Sequence, residues 1–205
     1  MVAKLQRDTS LLPQVLAAFA QVPRHQFVDA ALVQQAYEDT SLPIGLGQTI
    51  SKPSVVARML SLGLEGRPLP LGRVLEVGTG CGYQAALLSL LAREVFSIER
   101  LKGLHEKARV NLRPLRLANV HLLYGDGHAG HPVSGGYDLI VAAAGGQALP
   151  EAWLAQLAEG GRIVAPAAFG PSKVQALVVV ERSGGRFAQR ILEPVQFVPL
   201  KSGAN

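Results

Sequence analysis

From Gly72 onward the chain alternates short apolar runs with segments of helical spacing, and this alternation narrows the possible folds sharply. "RVLEVG" is an apolar run ending in glycine, and "YQAALLSLLA" after it has helical periodicity. "EVFSIE", the helical "LKGLHEKARVNLRPLR", "NVHLLYGDG", "YDLIVAAAG", the helical "PEAWLAQLAEG" and "GRIVAP" continue the pattern. Strands and helices in this order build a parallel sheet covered on both faces. The end of the chain departs from it: "VQALVVVERSGGRFAQRILEPVQFVPL" holds two strand-like runs around "SGG", a hairpin signal. The expected fold class is α/β, a doubly wound and mostly parallel sheet with C-terminal antiparallel strands.

At 205 residues the chain is expected to form a single domain, residues 1–205, large enough for its own core. Within it, residues 1–64 read as a helical extension with a loop, and 72–205 as the α/β core. Residues 8–21 carry Leu12, Val15, Leu16 and Phe19 on one helical stripe, and 25–37 read as helical too. A further helix is expected from Pro53 to Leu64, since proline suits a first helical turn. Between them "LPIGLGQTISKP", residues 42–53, is polar and bend-prone. It is too irregular for a helix and too rich in turn formers for an ordinary strand, so a loop is expected.

Charge and composition remove several functions. The net charge is +5, but the 20 basic residues are scattered and aromatics make up only 5%. A nucleic-acid partner would call for a basic stripe and stacking surfaces, so none is expected, although a mild pull on acidic substrates remains. No window approaches the ~18 apolar residues of a membrane span. "MVAKLQRDTSLLPQV" is broken by charges and a proline where a signal peptide is apolar. A cytoplasmic monomer with no membrane partner is expected, and the lone Cys81 excludes an internal disulfide framework. Asp126, His128 and His131 could be drawn as a metal site, but nothing nearby completes a ligand set, so no metal is expected. Cys81 has no histidine beside it in sequence and reads as a loop filler rather than a nucleophile.

In open α/β sheets ligands sit beyond the carboxyl ends of the strands. There the loop "LEVGTGCGYQAAL" places Gly78, Gly80 and Gly82, where a backbone can approach a ligand that a Cβ would push away. "GCGYQA" fits a dinucleotide pattern loosely, which is weak support for an oxidoreductase. Three acids point elsewhere. Glu76, just ahead of the glycines, would face a pyrophosphate badly but suits a cofactor with ammonium and sulfonium charges. Glu99 ends the second strand, where a carboxylate can accept from both ribose hydroxyls. Asp126, in "GDG", is placed to receive an adenine amino group. The bland alternatives are a helix cap at Glu76, a solvated strand end at Glu99 beside Arg100, and a plain turn at Asp126–Gly127. In order and in register, the three acids resemble the class I S-adenosylmethionine-dependent methyltransferases, whose Rossmann-like fold this implies.

The extension carries a narrower resemblance. "VPRHQFV" and "AYEDTSLPIGLGQTISKP" are similar to the N-terminal region of the protein-L-isoaspartate O-methyltransferases, at Val22–Arg24, Phe27–Val28, Ala36–Tyr37, Leu42–Gly45 and Gly47–Ser51. The similarity continues through "LEVGTGCGY", Glu99–Arg100, "GDG" and "FVPL" at Phe197–Leu200. Cys81 stands where serine is common, "AAAGGQALP" lacks a threonine and a proline often found after the fourth strand, and Lys201 follows "FVPL".

This resemblance implies a repair enzyme for isoaspartyl peptides and proteins. A methyl group passes from S-adenosyl-L-methionine to the free α-carboxylate of L-isoaspartate, and the backbone nitrogen then displaces the ester to form a succinimide. It further implies Ser51 as the active-site residue fixing the carboxylate. Thr49, Ile50 and Ser51 would touch the cofactor with Glu76, Gly78, Thr79, Gly80, Glu99, Asp126 and Gly127. A purely structural role for Ser51, as a helix N-cap, is an independent alternative. Two other functions compete: a class I methyltransferase for another substrate, and a cofactor-binding module without catalysis. The missing Asn/Asp-Pro-Pro-Tyr signature of amino-group methylation speaks against the first, and the intact "GQTIS" against the second.

Overall fold

The structure, a computed structural model, describes residues 1–169 and 174–205. In chain order it contains α1 (Val2–Leu5), α2 (Pro13–Gln21), β1 (Leu42–Gly45), β2 (Gln48–Ile50), α3 (Pro53–Leu64), β3 (Leu71–Val77), α4 (Tyr83–Ser89), β4 (Ala92–Glu99) and α5 (Lys102–Leu112). There follow β5 (Val120–Tyr124), β6 (Tyr137–Ala142), α6 (Glu151–Gln156), β7 (Leu157–Phe169), β8 (Val174–Ser183) and β9 (Arg186–Pro194).

Seven strands form the main sheet in the order β5-β4-β3-β6-β7-β8-β9. The chain runs outward from β3 through β4 to β5, then crosses back to lay β6 and β7 on the other side. The pairs from β5 to β7 are parallel, whereas β8 pairs antiparallel with β7 and β9 antiparallel with β8. This is the doubly wound sheet with an antiparallel ending that the sequence pattern implies. The hairpin at "SGG" closes with positive φ at Gly184 (58°) and Gly185 (72°), the conformation that glycine supplies in two-residue turns. Reversal of direction at β3 opens a crevice beyond the carboxyl ends of the central strands, where such folds hold ligands.

Four expectations need correction. Residues 25–37 form no α-helix but two 3-10 stretches, Arg24–Phe27 and Ala30–Gln35. Phe27 and Ala36 are fully buried but nothing between Ala30 and Gln35 is, so there is no apolar stripe for a longer helix to bury. In the stretch 8–21 the helix starts only at Pro13, and "PEAWLAQLAEG" gives up its helix after Gln156, where β7 begins. Finally, residues 42–53 are not an irregular loop: β1 and β2 pair antiparallel, with Leu42 opposite Ile50. Gly45, Leu46 and Gly47 make the tip at φ of 97°, 52° and 69°. The turn formers gather at that tip, which leaves the flanking residues free to pair.

One hydrophobic cluster joins the N-terminal segments to the sheet, running from Leu5, Phe19 and Phe27 through Leu60 and Leu87 to Val179. A second lies on the other face of the sheet around Leu75, Ile140, Trp153 and Val178. Because 42–53 is anchored between the first cluster and the sheet, its hairpin stands beside the crevice.

Candidate active site

Gly78, Gly80 and Gly82 all take positive φ, at 93°, 57° and 91°. They serve different ends. A Cβ on Gly80 would press on Ile44 at 3.2 Å, so Gly80 lets the hairpin settle against the loop. A Cβ on Gly82 would meet Leu112 at 3.0 Å, so Gly82 serves the packing of α5 rather than ligand approach. The Gly80 N–H donates to Glu99 Oε2 (2.9 Å) and the Leu101 N–H to Glu99 Oε1 (3.0 Å). Glu99 is thus fixed by two backbone donors at the end of β4 while still lining the crevice.

Glu76 is fully buried at the end of β3. The Ser97 hydroxyl donates to its Oε2, and Thr79 Oγ1 lies 2.6 Å from Ser97 Oγ, so a hydroxyl chain runs across β3 and β4. Oε1 has no partner among the described residues. Burial pushes the carboxyl up to about 8, against the lowering effect of Ser97 and Gln84 and with a further push from the Glu99 charge. An orphaned buried oxygen that awaits a cation is the arrangement an ammonium-bearing cofactor would complete.

Three connected spaces surround these groups. A crevice of about 520 Å³ is lined by Gly78, Gly80, Glu99, Gly127, the hairpin tip and the end of the chain. A groove of about 720 Å³ lies between Ser41, Ser51, Lys52, Val55 and the extended segment Pro194–Val198. A narrow space of about 40 Å³ between them contains Ile50, Ser51, Glu76, Thr79 and Tyr83. Thr49 and Ala143 line all three. The crevice has the size of a small-molecule site. Thr79 does not line it; Thr79 borders the narrow space alone, 4% exposed and with its hydroxyl turned to Ser97.

The hairpin is held by residues that sequence reasoning missed. Lys107 on α5 donates to the Ile44 carbonyl (2.9 Å) and pairs with Asp29 (2.8 Å). Arg24, completely buried, donates from Nη2 to the Ser51 carbonyl at 2.8 Å. Asp39 caps α3 from outside it, accepting from the Ser54 N–H and hydroxyl, both at 2.8 Å. The helix has no side-chain cap of its own and its N-cap position is Lys52, so Ser51 is not the cap. Arg24 stands in "VPRHQFV" and Asp39 inside "AYEDTSLPIGLGQTISKP", between its matched pieces, whereas Lys107 stands in no quoted motif.

Asp126 is placed differently from the expectation. Its Oδ1 accepts from the His128 N–H (2.8 Å) and its Oδ2 from the Gly203 N–H (2.7 Å), and Gly127 rather than Asp126 lines the crevice. His131 stacks on Phe96 at 5.6 Å, away from any ligand set. Among the described residues no three His, Cys, Asp or Glu side chains converge to hold a metal ion. Cys81 is buried, and burial pushes its thiol up to about 11, so it is no nucleophile at neutral pH.

Comparison with known proteins agrees with this geometry. A family model described as protein-L-isoaspartate(D-aspartate) O-methyltransferase matches residues 1–205. A protein-L-isoaspartate O-methyltransferase of Methylibium petroleiphilum is 56% identical over all of this chain and 77% of its own length. One from Leptothrix cholodnii is 58% identical, again over the whole chain, with 73% of its own length covered. A solved protein-L-isoaspartate O-methyltransferase superposes on 98% of the chain with a TM-score of 0.87 at 28% identity; the chain spans 66% of its length. A Plasmodium falciparum chain described as a "putative protein-L-isoaspartate O-methyltransferase beta-aspartate methyltransferase", in complex with S-adenosyl-L-homocysteine, shares the fold at 24% identity. Its TM-score is 0.82, over 98% of this chain and 96% of that one.

Proposed function

The chain belongs to the protein-L-isoaspartate(D-aspartate) O-methyltransferase family, and from that premise we propose how its residues divide the work. The activity is S-adenosylmethionine-dependent methylation of L-isoaspartyl residues in protein repair. The 520 Å³ crevice is the cofactor compartment and the 720 Å³ groove the peptide compartment. The observation that carries this division is that the two spaces meet at Thr49 and Ala143.

In the cofactor compartment Glu99 accepts from the ribose hydroxyls with lone pairs its two backbone donors leave free. Glu76, in the narrow space that adjoins this compartment, would face the ammonium through its unpartnered Oε1, with Gly78, Thr79 and Gly80 lining the same space. Gly127 would border the adenine, and Asp126 beside it, though engaged by the His128 and Gly203 N–H groups, keeps lone pairs that could accept from the amino group. Thr49 and Ile50 close the compartment from the hairpin. When bound, S-adenosylmethionine supplies an electrophilic methyl group on a sulfonium.

The acceptor is an α-carboxylate, with a reference pKa of about 3.3–3.7, so it is ionised and needs no general base. Ser51 borders both the groove and the narrow space beside Glu76. Its hydroxyl donates to the carboxylate and fixes it without removing its charge. The chain's task is alignment and exclusion of water, and positioning contributes roughly 7–11 kcal/mol towards such barriers. Every assigned residue lies on one chain, so a monomer suffices. Scattered basic residues support peptides rather than nucleic acid as partners, and a cytoplasmic setting suits the lone buried Cys81. No helix among the described residues is long and apolar enough to cross a membrane.

A matched pair of peptides tests this. Labelled methyl groups should pass to the isoaspartyl peptide and not to its aspartyl twin, whose side-chain carboxylate lies one methylene away from the required place. Equal labelling of the two would overturn the assignment of the groove.

A further inference from the structure

Arg24 is the most unusual charge in the molecule. Its side chain is wholly inaccessible, yet it has no carboxylate partner among the described residues, and its Nε and Nη1 have no hydrogen-bond partner. Nη2 donates to the Ser51 carbonyl at 2.8 Å and more weakly to that of Thr40 at 3.4 Å. The guanidinium carbon sits 5.1 Å from the centre of the Tyr83 ring. Both Tyr83 and Ser51 line the narrow space that also contains Glu76.

Stability alone does not account for this arrangement. A buried unpaired cation is costly, one good hydrogen bond and one cation–π contact offset only part of the cost, and an apolar side chain of similar volume would pack without it. Burial accordingly pulls the guanidinium below its ordinary value. The charge is out of reach of solvent and acts on whatever occupies the space beside Ser51, where screening is weak.

Resting on the assignment of Ser51 to the substrate carboxylate, we propose that Arg24 is a positioning residue for methyl transfer. It pins the Ser51 carbonyl, and its enclosed positive charge favours an anionic carboxylate at the Ser51 hydroxyl. It touches neither substrate nor cofactor and works through the backbone of the hairpin. A shift of about 1 Å in a positioned group can cost roughly 100-fold in rate, so one anchoring bond is enough to matter.

Two substitutions test the pin and the charge together. Arg24→Gln falls short of the Ser51 carbonyl, which Arg24 reaches through Nη2, and removes the charge, whereas Arg24→Lys keeps the charge and a longer donor. With an isoaspartyl peptide, Arg24→Gln should lose about 10- to 100-fold in kcat/KM. Binding of S-adenosyl-L-homocysteine should stay within about twofold of the parent, and Arg24→Lys should recover most of the loss. Rates are taken per folded molecule, with thermal unfolding followed on the same samples. If Arg24→Gln fails to fold, Arg24→Lys carries the test through its peptide KM, which should remain within about fivefold of the parent. Parental kcat/KM in Arg24→Gln would overturn the proposal. So would parallel losses of peptide and cofactor affinity, or a lysine variant as poor as the glutamine one. The parent's preference for isoaspartyl over aspartyl peptide is measured alongside. Failure there would count against the groove assignment, not against Arg24.

Discussion

The cofactor crevice and the peptide groove are built in opposite ways. The crevice and the narrow space beside it take their groups from successive strand ends: Glu76 from β3, Glu99 from β4, Gly127 beyond β5 and Ala143 beyond β6. Each comes from the next parallel strand along the chain, and Glu99 is fixed by backbone donors close in sequence or space, Gly80 and Leu101. The groove draws on Ser41–Val55 at one end of the chain and Pro194–Val198 at the other. Its walls are joined by long-range contacts such as Arg58 Nε donating to Glu193 (2.8 Å). A cofactor site can be inherited with the fold, whereas a substrate site has to be assembled across it.

If the two compartments are separate, damage to one should spare the other. The largest effect is expected at Ser51. Ser51→Ala should slow single-turnover methyl transfer by about 100-fold through a misplaced carboxylate. Its cofactor affinity should stay near the parent value in calorimetry, and its unfolding temperature should hardly move because Ser51 does not cap α3. The complementary change is Glu99→Ala, which should weaken cofactor binding by about 1.5–3 kcal/mol. It also strands the N–H groups of Gly80 and Leu101, so thermal unfolding should reveal lost stability as well.

A third measurement uses pH. Glu76 rises from 4.5 to about 8 in the cofactor-free protein, which therefore keeps a proton that the unfolded chain releases. Its contribution to stability is present below about 4.5 and is lost as the pH rises through about 8. A cationic cofactor favours the ionised form, so its affinity should increase between about pH 6 and 8, by at most roughly tenfold per unit, with proton release visible in calorimetry. Glu76→Gln should flatten that slope and leave the KM for peptide unchanged. The smallest effect belongs to Asp39→Ala. Loss of the cap on Ser54 should cost about 0.5–2 kcal/mol of stability, and it should disturb peptide turnover before cofactor binding because α3 begins beside the groove.

The same contrast explains what was legible in the sequence. The alternation after Gly72, the glycine loop and the "SGG" hairpin are local patterns, and each specified its element. The role of Gly82 was not legible, because its contact with Leu112 depends on where α5 packs. Ser51 stood out only through a family motif, since neither its groove nor the failure of the cap reading has a local signature. The hairpin at 42–53 was hidden because glycines that mark a hairpin tip look the same in sequence as glycines that mark an irregular loop. Lys107, Asp39 and the unpaired burial of Arg24 are tertiary facts with no periodicity to announce them. Asp126 shows the converse. Its position at a strand end was legible, but its engagement by Gly203 comes from the far end of the chain.

The central claim is spatial, and a crystal structure of the chain with S-adenosyl-L-homocysteine and an isoaspartyl peptide tests it most directly. The predicted result has the ribose hydroxyls on Glu99, the sulfur facing the gap between Thr49 and Ala143, and the α-carboxylate on the Ser51 hydroxyl across that gap. A peptide carboxylate bound away from Ser51, or a sulfur turned from the Thr49–Ala143 junction, would contradict it.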